Sequence, residues 1–360
     1  MAIGLALTKG PLVSALRKDD FLILFPLNPR MLARYRDAFT PSRAKDDPTD
    51  AARQLARLRT HRDKLQPLHP QSSTMRTLAQ LVAHRRRVVG DTVRLPNRLT
   101  SALKHSFPHV LQWFQDKDTA IFCDCLSRWP TLTAVQRARR ATRAAFFREH
   151  HVRAAEVIAQ RILAITAATP LTTDAGVIAP QALLVQTLVA QLRGTLQAIA
   201  ACDTAIAQGA QRPPDFPCFQ ALPGAGPVCA PRLLVAFGAQ RARSASAAAL
   251  HPEAGMAPVT ARSGTKSWGH WRLQCPQFLR HTCGAWAAES IRHAFGAQGY
   301  YQQQRDKGKA HQAAVRALAC TWIRILSRCW QERTLYDESV SLQALHRRGS
   351  SLIHHLAKTS

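Results

Sequence analysis

Phe21-Leu22-Ile23-Leu24-Phe25 is an unbroken apolar run stopped by Pro26, and its β-favouring residues predict a strand buried on both faces. Leu5 to Leu7 supply a neighbouring strand. Pro11 to Arg17 between them predict a short crossover helix, so this segment reads as a parallel β-α-β unit. The spacing of apolar positions then becomes helical. Between Thr49 and Leu65, Ala52, Leu55, Ala56 and Leu58 recur at helical intervals, with Pro48 placed as a first helical residue. Pro67 and Pro70 mark a boundary. Beyond it, Ser72 or Ser73 caps a long helix with Leu78, Leu81, Val82, Val88, Leu95, Leu99 and Leu103 at helical period, which Pro96 is expected to kink or split. A second long helix is predicted from Pro180 to Ile206. There Val185, Val189, Leu192, Leu196 and Ile199 step by four and three, the seam of a coiled-coil hairpin or of a contact between copies. The two helices predict a protruding arm, with ordinary core packing as the competing reading.

Charge adds a partner to this outline. The 360 residues carry 49 Lys+Arg against 22 Asp+Glu, a formal net charge of +27, which points to a polyanion and above all to nucleic acid. Asp91 is the sole acid between Lys64 and Gln115, so the Arg85-Arg86-Arg87 cluster lies either along phosphate or on a solvated basic face. After the linker Gln211-Arg212-Pro213-Pro214-Asp215, the stretch from Phe216 to Gln331 contains only Glu253, Glu289 and Asp306 as acids. No run approaches the roughly 18 apolar residues of a membrane span, and Met1 to Leu7 lack the basic start of a secretory signal. A cytoplasmic, nucleoid-associated protein without a membrane partner is expected. The nine cysteines include no Cys-x-x-Cys pair and are expected to be small buried hydrophobes.

Five segments carry candidate chemistry. Asp46, Asp47 and Asp50 cluster in a basic chain. Asp47 fits as a helix N-cap, with Pro48 as the first helical residue and Asp50 near the positive helix end; the same spacing puts Asp47 and Asp50 on one face as ligands for a hard divalent cation. Leu222-Pro223-Gly224-Ala225-Gly226-Pro227 precedes an apolar helix and resembles the hairpin of a helix-hairpin-helix. Its glycines Gly224 and Gly226 either let backbone N–H groups approach phosphate or form a simple interhelical turn. Ser263 sits on a glycine turn between Arg262 and Lys266, as a nucleophile with cations to stabilise charge on phosphate, or as a phosphate-binding loop without chemistry. Trp268, His270, Trp271, Arg272, Phe278, Arg280 and His281 interleave aromatic and basic groups, as single-strand stacking surfaces do and as a small helical core also does; Arg305, Lys307 and Lys309 form a basic turn.

Several blocks in order, Leu7-Thr8-Lys9-Gly10-Pro11-Leu12, Phe21 to Pro29, Ala44 to Ala51, Leu222 to Pro227, Ala257 to Lys266 and Tyr300 to Lys309, resemble the bacterial insertion-sequence transposases of the one-ten type, relatives of the Piv DNA invertases. The resemblance runs from about Leu5 to Ser350. It implies a mainly α protein with a small α/β part: a truncated RNase H-like (RuvC-like) domain (1–66), a helical and coiled-coil region (67–215), a helical C-terminal transposase domain (216–335) and a tail (336–360). It further implies DNA transposition and recombination by an assembly of subunits, a dimer or tetramer. Its partners would be element-end and target DNA and a structured guide RNA. A DEDD carboxylate set would hold magnesium, and a serine would act as nucleophile. Asp47 and Asp50 match the last two acids of that set, and Ser263 matches the serine. The family's first Asp has no equivalent in the sequence, and Ala6 stands where its Glu is expected. The resulting expectation is an N-terminally truncated transposase with impaired catalysis; the alternatives are a non-catalytic RNA- or DNA-binding remnant and a magnesium-dependent nuclease.

Overall fold

The apolar run ending at Pro26 forms strand β2 (Ile23–Pro26), which pairs in parallel with β1 (Ala2–Leu5), Ala2 opposite Ile23 and Leu5 opposite Pro26. Helix α1 (Pro11–Leu16) crosses between them with proline at its start, so the predicted β-α-β unit is present, with β1 starting three residues earlier than the Leu5 to Leu7 expected. The computed structural model describes residues 1–7, 10–39, 46–69, 71–241, 247–270, 272 and 275–350, and they fall into two units, Met1–Ser72 and Ser73–Ser360. Expectations for Thr8, Lys9, Ala44, Lys45, Pro70, Trp271 and residues 351–360 lie outside the described residues.

The first unit adds α2 (Pro29–Phe39), which the apolar pattern did not announce, and α3 (Asp47–Thr60). Val13, Leu24, Phe25, Leu27 and Leu58 are its buried apolar side chains. The N-cap of α3 is Asp46, one residue earlier than predicted: its carboxylate accepts from the Thr49 amide at 3.1 Å and from the Thr49 hydroxyl at 2.6 Å. The cap moves because Asp46 is extended, with φ −140°, while Asp47 already belongs to the helix.

The second unit is built on α4 (Ser73–Ser106) and α10 (Ala175–Ala210), which pack along one another. Helix α4 continues through Pro96, so the proline does not split it. Leu95, Leu99 and Leu103 are buried on either side of the proline, and their packing outweighs a lost backbone bond worth about 3 kcal/mol. Between the long helices lie α5 (Val110–Trp113), α6 (Ala120–Arg128), α7 (Leu132–Arg137), α8 (Arg140–Glu149) and α9 (Ala155–Ala167). After α10 come α11 (Phe216–Gln220), α12 (Gly226–Phe237), α13 (Ala247–Glu253), the hairpin β3 (Val259–Ser263) and β4 (Lys266–His270), then α14 (Gln277–Ser290), α15 (Phe295–Asp306), α16 (His311–Glu332) and α17 (Glu338–Arg347). The fold is mainly α with a small α/β part, as the sequence predicts.

Two separate cores take opposite ends of the long helices. Met75, Leu78 and Val82 of α4 and Ile206 and Ala210 of α10 join Phe219, Leu233, Trp286 and Trp322. Leu95, Leu99 and Leu103 of α4 join Val185, Leu188, Val189 and Leu192 of α10 and Phe107, Phe122, Phe146 and Ile162. The predicted seam of α10 is therefore filled by its own chain, which removes Val185, Val189 and Leu192 as contacts between copies. By length and composition α10 is long and apolar enough to cross a membrane, contrary to expectation, yet this side of it is core. The linker acid Asp215 is buried, paired with Arg241 and accepting from the Trp330 indole at 2.8 Å. Burial pushes the Cys123 thiol up to about 11 and Cys125 to about 12, which fits small hydrophobes better than ligands or nucleophiles.

Candidate active site

Asp47 and Asp50 lie in the first turn of α3, where the positive helix end favours acid. Their surroundings differ. Asp50 is drawn into a pair of guanidinium contacts, Arg53 Nη1 at 3.3 Å on its own helix and Arg36 Nε at 3.6 Å from α2, while Asp47 is exposed. Thr49 holds the Asp46 carboxyl below its ordinary range, through its hydroxyl first and its amide second. A hard divalent cation wants six or more oxygen ligands. Among the described residues no group of three or more His, Cys, Asp or Glu is placed to hold a metal. Among the described residues an Asp47 without a partner and an Asp50 engaged by two arginines do not make such a site, and the Ala6 side chain brings no oxygen to it. Arg53 was legible at i+3 from Asp50, but Arg36 belongs to the unannounced helix and was missed.

Ser263 ends β3 and pairs with Lys266, the first residue of β4. The two residues between them are Gly264, at φ +56°, and Thr265, which is the glycine-first arrangement of a type II′ hairpin turn. A side chain in place of Gly264 would be strained at that φ. Ser263, Arg262 and Lys266 are all exposed, and Trp268 on β4 is 50% exposed. The hairpin thus offers a hydroxyl, cations and an aromatic face without an acid in either strand. Among the described residues no base hydrogen-bonds the Ser263 hydroxyl.

The glycine turn before α12 divides into two roles. A Cβ on Gly224, at φ +69°, would sit 2.7 Å from the Ser290 backbone nitrogen, so this glycine permits close packing on the end of α14. The Trp286 indole donates to the Pro223 carbonyl at 2.9 Å, and the Trp322 indole donates to the Ser290 hydroxyl at 2.7 Å, locking the turn in place. Gly226 at the start of α12 faces open space instead. Of the two, only Gly226 leaves room for phosphate to approach.

The α4 arginines also separate. Arg85 is bonded to Asp203 on α10, with Nη2 3.2 Å from the carboxylate, whereas Arg86 and Arg87 are exposed. Arg86 lies 5.6 Å from the Phe278 ring centroid and 3.4 Å from His281 Nδ1. Arg232 on α12 was not anticipated; burial, with smaller effects from nearby Arg86 and Arg85, holds its pKa below the ordinary value. At the end of α15, Lys309 Nζ donates to the buried Gln304 at 2.6 Å and Arg305 donates to the Lys309 carbonyl, while Lys307 is exposed. Phe278 packs against the core, so the aromatic-basic run contains both a packed member and an exposed one, Trp268.

The two segments that hold these features match known protein families separately. Residues 2–108 match a DEDD-type IS110 family described as "Transposase", and residues 217–302 match "Transposase IS116/IS110/IS902 family". Over 312 residues, 83% of this chain and 75% of the relative, the chain is 30% identical to the insertion element IS900 uncharacterized 42 kDa protein of Mycobacterium paratuberculosis. The chain belongs to the IS110 family of transposases. It is also 29% identical over 346 residues, 93% of its length and 82% of the relative's, to a protein described as the candidate mini-circle transposase for IS117 of Streptomyces coelicolor. A shorter similarity, 28% over 151 residues and 42% of each chain, links it to the candidate transposase y4uE of Sinorhizobium fredii. The transposase therefore has DNA as its partner class, and its DEDD relationship points to divalent-metal use in the family. The first match contains Asp47 and Asp50, and the second contains the Gly224 turn and Ser263.

Proposed function

We propose that this insertion-sequence transposase binds element and target DNA and presents Ser263 as the nucleophile for strand transfer, while its carboxylate half is impaired. The observation that carries the reading is the exposed hairpin, which pairs Ser263 with Lys266 across a glycine turn, Arg262 preceding the serine on the same strand. In the step proposed, Ser263 Oγ attacks a DNA phosphorus and one P–O bond to deoxyribose breaks, giving a phosphoserine linkage and a free hydroxyl. Arg262 and Lys266 offset the negative charge that develops. The serine proton passes to a base supplied by the assembled complex.

The impairment is proposed from Ala6 and from the Arg36 and Arg53 contacts to Asp50, which among the described residues leave Asp47 as the unengaged acid of the pair. Magnesium, which the resemblance implies, is not held adequately by this pair. Guide RNA and assembly of several subunits belong to the same reading, as do phosphate contacts by Arg86, Arg87, Gly226 and Lys307. The Asp50 ion pairs also favour a second reading, a nucleic-acid-binding subunit without cleavage.

A donor and target plasmid pair, incubated with guide RNA and magnesium, tests the reading. The native chain should bind DNA with strong salt dependence and yield little product, Ala6→Glu should raise the yield, and Ser263→Ala should abolish it without loss of binding. Abundant product from the native chain would overturn the impairment. Product unaffected by Ser263→Ala would overturn the nucleophile.

A further inference from the structure

Arg143, at the end of the first turn of α8, is 7% exposed, and a guanidinium buried to that degree ordinarily faces a carboxylate. Among the described residues none is there. Its side-chain bond runs from Nη1 to the Thr166 hydroxyl on α9, at 3.1 Å, and its Nε has no acceptor. The nearby carbonyls of α9 are already taken: Ile165 and Ala168 accept from the Gln136 amide at 3.0 and 2.8 Å, and Ile162 accepts from Thr166. Burial, and after it nearby Arg140, holds the Arg143 pKa below its ordinary value. The surroundings add cations. Arg139 is the N-cap residue of α8 and Arg140 its first residue; both are exposed, and Arg140 shares a helix face with Arg143 three positions on. From Cys125 to Arg148 there are six arginines and no acid. No side chain caps α8, its first turn holds no acid, and among the described residues the amides of Arg140, Ala141 and Thr142 have no acceptor. Cations crowded at the positive end of a helix reverse the usual arrangement unless an anion sits there with them. Helices α7 and α8 also lie outside the two stretches, 2–108 and 217–302, that match transposase families.

We propose that the N-terminus of α8 binds a backbone phosphate of nucleic acid, held by the free first-turn amides and by the guanidiniums of Arg140 and Arg143. The observations ask for one ligand: the amides need an acceptor, the buried guanidinium needs a negative charge, and a tetrahedral anion with several oxygens serves both. Exposed Arg137 and Arg139 flank the site and carry the positive surface beyond a single phosphate, which suits a strand rather than a free ion.

The site rests on the nucleic-acid partner of the proposed function and is independent of Ser263 and of the carboxylates. Hydrogen exchange on the full-length chain tests it, with a short DNA duplex, a short single-stranded RNA or inorganic phosphate added to saturation. Exchange of the Arg140, Ala141 and Thr142 amides should slow about tenfold with DNA or RNA, and which of the two protects them identifies the strand. Arg143→Gln should remove that protection; Arg140→Gln, at an exposed position that folding does not need, should do the same and lower affinity about fivefold, with a shallower salt dependence. Arg148→Gln makes the same charge change at the other end of α8 and should leave the protection in place. Nucleic acid bound without slowing these amides would overturn the site and leave DNA binding standing, whereas no binding would overturn both. Protection by inorganic phosphate alone, or equal loss in Arg148→Gln, would reduce the site to a free-anion or general charge effect and overturn the proposal.

Discussion

Met1–Ser72 and Ser73–Ser360 hold their candidate chemistry on very different foundations. The first unit hangs a two-stranded parallel sheet and α3 on a handful of buried side chains, Val13, Leu24, Phe25, Leu27 and Leu58. The second has two cores rich in aromatic rings, with Trp286 tilted against Trp322 at 5.3 Å in one and Trp129 edge-on to Phe146 at 5.1 Å in the other. In the poorer unit Asp50 is held by Arg36 and Arg53 and Asp46 by its cap contact to Thr49, while Asp47 is exposed. In the richer one the glycine turn is fixed by indole hydrogen bonds, and the serine hairpin projects free of the core. Burial thus fixes what lies beside a core, and chemistry at the rim of a small unit depends on local polar contacts.

The largest effect should follow Trp286→Ala, which empties the first large core and breaks the bond to Pro223. It should cost about 3–5 kcal/mol in urea unfolding of the second unit; a cost below about 1 kcal/mol would mean that the turn is held otherwise. Asp215→Ala removes a buried carboxylate, the partner of half-buried Arg241 and of the Trp330 indole, and about 3 kcal/mol should be lost by the same measurement. Leu58→Ala, in the smaller unit, should cost about 2–3 kcal/mol. Hydrogen exchange should show that loss in α3 and β1 while the amides of α14 and α16 stay protected; equal deprotection of both units would erase the contrast.

The smallest effect concerns pH. Asp46 is held below its ordinary value of 3.8 by Thr49, so its contribution to α3 is present above that value and fades as pH falls through the lowered one. Amide protection in α3 should decline on acidification below about pH 4 in the native chain. Asp46→Ala should have the weaker protection at neutral pH and a flatter profile; an unchanged profile would remove the cap from the account.

Much of this was readable in the residues, and the misses have a common cause. The β1-α1-β2 unit, the two long helices and the glycine turn at Ser263 follow from apolar period, proline and glycine, all local signals. Contacts distant in sequence were not readable: Arg85 meets Asp203, Asp50 meets Arg36, and Gly224 fits against Ser290. The α10 seam was read correctly as a seam, but a heptad does not say which helix fills it. Pro96 illustrates the converse, since a local breaker yields where long-range packing is strong.

Among the described residues no base hydrogen-bonds the Ser263 hydroxyl, which gives the hairpin a further meaning. A serine is a poor nucleophile toward phosphodiesters until a base takes its proton, however exposed it is. Under the proposed function the free polypeptide should therefore leave plasmid DNA unnicked, and cleavage should begin only once a base is brought to the hairpin.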